Sequence, residues 1–142
     1  MTISFRLIDN FDRFPTGIGG DIVYNELIPW CEKQGVYLSQ YGNHAGKDSM
    51  IKLPEYMKAK QTHTLFKIEH IQRAFSLIPQ YLKRTSNPSE NSLTLKREIE
   101  GRQKEPIFAG DFIAAMLMSG FSARLTHDGA PRINCWFNAD VI

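Results

Sequence analysis

Cysteine, an excess of one charge, and long apolar runs are all scarce in this chain, and each scarcity removes a class of protein. Only Cys31 and Cys135 occur. Two thiols so far apart make neither a disulfide framework nor a zinc spacing, so no metal site is expected. Lys and Arg number 17 against 15 Asp and Glu, for a net charge of +2. That balance excludes a carboxylate-coated mimic of DNA, and it falls short of the excess a dedicated nucleic-acid binder carries. The most apolar run, Phe112 to Met118, is far below the roughly 20 residues a membrane span needs. Met1-Thr2-Ile3-Ser4-Phe5-Arg6 lacks the charged-then-apolar order of a secretory segment. The expectation is a cytoplasmic protein with reduced thiols and no membrane contact.

What remains is a chain of 142 residues, 42% apolar, enough for one core without staples. Gly110 to Ile142 organises the reading. Phe112 to Met118 is apolar on every face and predicts a wrapped helix, with Asp111 as N-cap and Gly120 closing it. Ala123 and Leu125 then alternate with polar residues. His127-Asp128-Gly129 signals a turn, and Ile133, Cys135 and Phe137 alternate with Arg132, Asn134, Trp136 and Asn138. A buried helix followed by a β-hairpin is predicted.

Earlier in the chain, Ile3 to Ile8 alternates as a strand. Gly17 to Asp21 has neither the spacing nor the charge of a phosphate cradle and reads as a turn into an Asp21-capped helix. That helix runs to Gln34, with Val23, Leu27, Trp30 and Cys31 on one face; Pro29 splits or kinks it and Gly35 closes it. Val36 to Tyr41 is a strand. Gly42 to Asp48 imitates a phosphate-binding loop, but its glycine spacing is short and Asp48 stands where a hydroxyl would hold magnesium. It reads as a polar surface loop with His44 and Lys47 free to contact a partner. Met50 to Leu53 suggests a short strand, and Pro54 opens a helix to Lys60.

The longest predicted helix, Thr64 to Arg84, places Leu65, Ile68, Ile71, Phe75, Ile78 and Leu82 in one stripe, with Pro79 bending its end. Lys83 and Arg84 suit its negative C-terminus. Asn87-Pro88-Ser89-Glu90 predicts a capped helix start, ending near Gly101. The fold class expected is α+β, one domain over 1–142, with a helical middle and strands at both ends.

Chemistry is thin. His44, His63, His70 and His127 pair with no Ser, Cys or Asp in a known catalytic spacing. His63 and His70 face the same way if one helix spans both, but further ligands are lacking, and solvated histidines are the simpler reading. Glu98 and Glu100 diverge on a helix. Both cysteines read as core. No catalytic residue and no cofactor is assigned.

Two surfaces stand out. Lys58, Lys60, Lys67, Arg73, Lys83, Arg84, Lys96 and Arg97, with Arg102 and Lys104, form a cationic set, with Lys60, Lys67 and Lys83 at helical spacings that suit phosphate or an acidic protein patch. The last strand offers Arg132, Asn134 and Trp136, where an indole beside Arg and Asn suits a contact surface.

Ser92-Leu93-Thr94-Leu95-Lys96 with Glu100, Gly110 to Ala115, Gly120-Phe121, Asn134 and Phe137-Asn138 together resemble a pattern of small accessory proteins from phages and other mobile elements. The resemblance implies a helix–helix–hairpin module with no catalytic signature. It also implies a partner in the host, either a protein or a nucleoprotein; inhibition of a bacterial defence complex, of the anti-CRISPR type, is one such role. The function expected is a non-enzymatic binding protein. Direct nucleic-acid binding through the Lys/Arg stripe is the alternative, and a small enzyme with a His-containing site is a third reading. Partner identity and oligomeric state are left open by the sequence.

Overall fold

A segment apolar on all sides needs neighbours on all sides, and the rest of the chain supplies them around 109–118. The computed structural model describes residues 2–3, 20–44, 51–127 and 130–142, with backbone only for 2–3, 125–127 and 130–132. The fold is α+β, as the pattern predicts. Its helices are α1 at 20–33, α2 Leu53–Gln61, α3 Ile68–Tyr81, α4 Ser92–Gln103 and α5 Ala109–Met118. The strands are β1 Thr2–Ile3, β2 Leu38–Ser39, β3 Gly42–Asn43, β4 Leu82–Arg84, β5 Glu90–Asn91, β6 Ala123–His127, β7 Ala130–Phe137 and β8 Ala139–Val141.

Helix α5 is buried along its length, from Gly110 to Met118. It packs against α3, α4, β7 and the β2–β3 hairpin. Ala114 and Ala115, both fully buried, let those elements close in. Gly120 takes a φ of 84° and ends the helix. The hairpin follows: β6 pairs with β7 antiparallel, with His127 opposite Ala130. In the four-stranded sheet the order is β1-β6-β7-β5. Of the strand expected at Ile3 to Ile8, Thr2–Ile3 pairs with β6; the remainder lies outside the described residues, as do Gly17 and Gly19, Ala45 to Met50 and the Asp128-Gly129 turn.

Helix α1 accommodates Pro29 by changing register. Val23–Leu27 is π-helical, the Ile28 amide bonds back to the Val23 carbonyl, and an α segment, Ile28–Lys33, resumes with Pro29 in its first turn. A proline lacks the N–H an α ladder would demand there, and the wider turn absorbs the defect. Asp21 sits inside the first turn rather than capping it.

Four expectations about boundaries are corrected. Met50 to Leu53 is not a strand over its described residues: Ile51 is a bend and Leu53 already begins α2. The long central helix covers 68–81 instead of 64–84. Lys83 and Arg84 lie on β4, paired with Asp140 and Ala139 of β8. Pro79 lies inside the helix, which ends at Tyr81 where Leu82 turns extended and pairs with Val141. Asn87 is not a cap; the chain first forms β5 against Phe137 and Trp136, and Asn91 caps α4 by accepting from the Leu93 amide at 2.8 Å. A tertiary ladder outweighs a local capping pattern of about 1 kcal/mol. Helix α4 also runs past Gly101 to Gln103, and Lys104 closes it at a φ of 58°.

Asn138 stitches the sheet to its surroundings. Its side chain accepts from the Ser122 amide at 2.7 Å and donates to the Thr85 carbonyl at 3.1 Å. No helix among the described residues is long and apolar enough to cross a membrane.

Candidate binding pocket at the start of helix α5

On α3, His70 and Arg73 are three residues apart and therefore face the same way. The chain between α4 and α5 passes in front of them. It is anchored by Ile107, which is buried and whose amide donates to Glu100 Oε2 at 2.7 Å. Arg73 reaches across to Glu105 at 3.0 Å and donates to the Pro106 carbonyl at 3.2 Å. Between α3, this segment and the first turn of α5 lies a cavity of about 370 Å³, lined by His70, Arg73, Glu105, Pro106, Ile107, Phe108 and Asp111.

Asp111 is the unusual member. The expected N-cap role is overturned: the cap position is Phe108, and Asp111 lies one turn in, 1% exposed. Its Oδ2 is 3.6 Å from His70 Nδ1, too long for a hydrogen bond. Its Oδ1 is buried with no hydrogen-bond partner among the described residues. Burial raises the carboxyl from 3.8 to about 7. The positive end of α5 favours the ionised form and works in the opposite direction.

The rim is aromatic. Phe108 is 44% and Tyr41 40% exposed; their rings are 5.6 Å apart, edge to face. The His70 ring is 6.0 Å from Phe108. Gly110 makes this proximity possible. Its amide donates to the Gln40 carbonyl at 2.9 Å, and a Cβ there would sit 1.5 Å from the Ser39 carbonyl oxygen. Only glycine lets α5 approach the β2–β3 turn this closely.

The residues singled out from the sequence distribute differently. Lys60 binds Glu32 at 2.8 Å, a carboxylate that also accepts from Tyr56. Lys96 binds Glu100 at 2.9 Å. Arg84 donates to the Ser119 and Gly120 carbonyls and covers the Phe121 ring at 4.7 Å. Lys58, Lys67, Lys83 and Arg97 are exposed, and none of them has an ion pair among the described residues. The stripe expected through Lys60, Lys67 and Lys83 does not form, because these residues stand on α2, before α3 and on β4. On β7, Asn134 accepts from Ser92 Oγ at 3.3 Å, Trp136 is half-buried under the Arg124 guanidinium at 5.0 Å, and the side chain of Arg132 is outside the described set. Asn134 and Trp136 thus serve the sheet's own packing.

The histidines also separate. His63 is in a turn at a φ of 57°, its ring 4.5 Å from Tyr24, so no helix carries it together with His70. His44 is not on a polar surface: it is buried, hydrogen-bonded to Ser39 Oγ, and burial lowers it to about 4. Glu98 and Glu100 diverge to Arg102 and Lys96. Cys31 and Cys135 are buried free thiols pushed far up by desolvation, hence inert.

Asp111, Phe108 and Tyr41 were missed from the sequence as site residues. The available signal was an acid embedded in a run of apolar residues, Phe108 to Met118, where a charge has few ways to be compensated. No family model, curated protein or solved structure matches the chain.

Proposed function

We propose that this is a small non-enzymatic binding protein, acting by occupying a surface of a partner protein or nucleoprotein, and that its contact face centres on the α5 cavity rather than on the cationic set. The observation that carries this reading is the exposed Tyr41–Phe108 pair beside the cavity. Large flat side chains lose little entropy on burial and dominate binding faces. Among the described residues the lining contains no Ser, Thr or Cys nucleophile, so the His70–Asp111 pair has no such group there to activate. Half of the cationic residues nominated from the sequence neutralise acids or cap carbonyls within the chain, which weakens the nucleic-acid reading.

The resemblance to accessory proteins of mobile elements supports a host complex as the partner, with a defence complex among the candidates. Display selection of peptides on the immobilised protein tests the contact face. The reading expects enriched peptides whose binding collapses with the Tyr41→Ala/Phe108→Ala double variant. Peptides held equally well by that variant, or no enrichment at all, would sink it. For the nucleic-acid alternative, affinity for random-sequence DNA at low salt should be undetectable; binding that weakens steeply with salt would revive it.

A further inference from the structure

We infer that the cavity at the start of α5 is a recognition pocket for a single basic side chain of the partner, a guanidinium or ammonium group that docks on Asp111. The inference rests on the binding role proposed above and specifies what that face reads.

Three independent features point to a cation. First, Asp111 Oδ1 is a buried acceptor with no donor among the described residues, and native structures rarely leave such an atom unpaired; Arg73 Nη2, the other buried polar atom of the cavity without a hydrogen bond, is already met by the Glu105 carboxylate at 3.0 Å. A donor entering from the cavity completes Asp111 Oδ1. Second, the lining leaves Asp111 without a close cation. Arg73 is taken up by Glu105 at 3.0 Å and His70 Nδ1 stands 3.6 Å from Asp111 Oδ2, so no cation of the cavity lining reaches hydrogen-bond distance of the Asp111 carboxylate. An anionic ligand would have to draw Arg73 away from Glu105 and also face Asp111. Third, Phe108 lines the cavity and Tyr41 stands against it, and aromatic faces attract cations.

The volume, about 370 Å³, is at the small end of ligand pockets, which run from about 300 to 1,000 Å³. It suits one long side chain rather than a helix. Of the ionisable groups on elements packed against α5, His70 and Arg73 of α3 line the cavity with Glu105. Glu100 of α4 is held by Lys96 and the Ile107 amide. Cys135 of β7 is in the core, and the β2–β3 hairpin brings Tyr41. Burial holds the free Asp111 carboxyl near 7, so a docked cation, by stabilising the carboxylate, displaces a proton whenever Asp111 is protonated.

N-acetyl-arginine methylamide, its neutral citrulline isostere and N-acetyl-glutamate methylamide serve as probes, titrated against the full chain and read from the amide resonances of Phe108 to Phe112. A single group should bind with a Kd on the order of millimolar. The arginine probe is expected to bind at least tenfold tighter than citrulline at pH 8, and Asp111→Asn should erase that difference while the spectrum stays folded. Affinity should rise about tenfold between pH 6 and pH 8 as Asp111 ionises. Equal binding of arginine and citrulline, tighter binding of the glutamate probe, or an arginine preference that survives Asp111→Asn each overturn the inference. Selected peptides that need Tyr41 and Phe108 but contain no basic residue would overturn it too, while leaving the binding role intact; failure to select any peptide at this face would remove the binding role itself.

Discussion

The two ends of helix α5 are finished in opposite ways. At the C-terminal end the carbonyls of Ala115, Met116, Leu117, Ser119 and Gly120 are all hydrogen-bonded. Gly120 turns the chain, the Gly120 and Phe121 amides bond back to Leu117 and Met116 at 3.0 and 3.3 Å, and the Arg84 guanidinium closes the Ser119 and Gly120 carbonyls while lying over Phe121. A cation at that end also complements the helix dipole. A cavity lies beside each end, about 310 Å³ against Phe75, Leu82, Arg84 and Phe121 at the C-terminal end and about 370 Å³ at the N-terminal end; what sets the N-terminal end apart is Asp111, with an oxygen that has no hydrogen-bond partner among the described residues, and an aromatic pair in solvent. Completed hydrogen bonding marks the end that stabilises the fold. Incomplete hydrogen bonding at equal depth is what supports the N-terminal end as the proposed binding end, because an unmet buried acceptor costs stability of about 1–3 kcal/mol that a ligand can return.

Substitutions should separate the two ends. Gly110→Ala is expected to have the largest effect, upwards of about 4 kcal/mol in denaturant unfolding, since a Cβ 1.5 Å from the Ser39 carbonyl cannot be accommodated without moving backbone. Asp111→Asn comes next, and its effect depends on pH. The folded carboxyl sits near 7 against 3.8 unfolded, so between those values the folded protein keeps a proton the unfolded chain has released. Stability should therefore fall as pH rises from about 4 to about 7 and level off above. The Asn variant should lack this fall, which is on the order of 2–4 kcal/mol. Thermal unfolding across that range measures it. Arg84→Met should cost about 1 kcal/mol by loss of charge-assisted bonds at an exposed site and leave probe binding at the other end unchanged. Phe108→Ala should change stability least, by less than about 0.5 kcal/mol, while abolishing peptide binding. If Arg84→Met weakens binding as much as Phe108→Ala does, the contrast between the ends fails.

The same helix shows how much was legible in the sequence. Its burial, the Gly120 stop and the following hairpin came from apolar periodicity, which reports local structure faithfully when a segment is long and uniform. The end proposed for binding did not come from periodicity, because Asp111 near a helix start has a ready local explanation as a cap. Only the tertiary approach of the Ser39–Gln40 backbone to Gly110 moves the helix start back to Ala109 and carries Asp111 inside. The shift of the α4 cap from Asn87 to Asn91 has the same cause, the pairing of Glu90 and Asn91 with β7. The cationic set misled for a related reason: charge is visible in a sequence but its partner is not, and Lys60, Arg73 and Lys96 find theirs at Glu32, Glu105 and Glu100. Gly110, Gly120 and Asn138 are accounted for by backbone approach, helix closure and sheet stitching.

The carbon-13 shift of the Asp111 carboxyl, followed from pH 4 to pH 9 with and without N-acetyl-arginine methylamide, tests the account most directly. A midpoint near 7 in the free protein, falling by one unit or more at saturating probe, is the expected result. An ordinary carboxylate midpoint in the free protein, or a midpoint that the bound probe leaves in place, contradicts it.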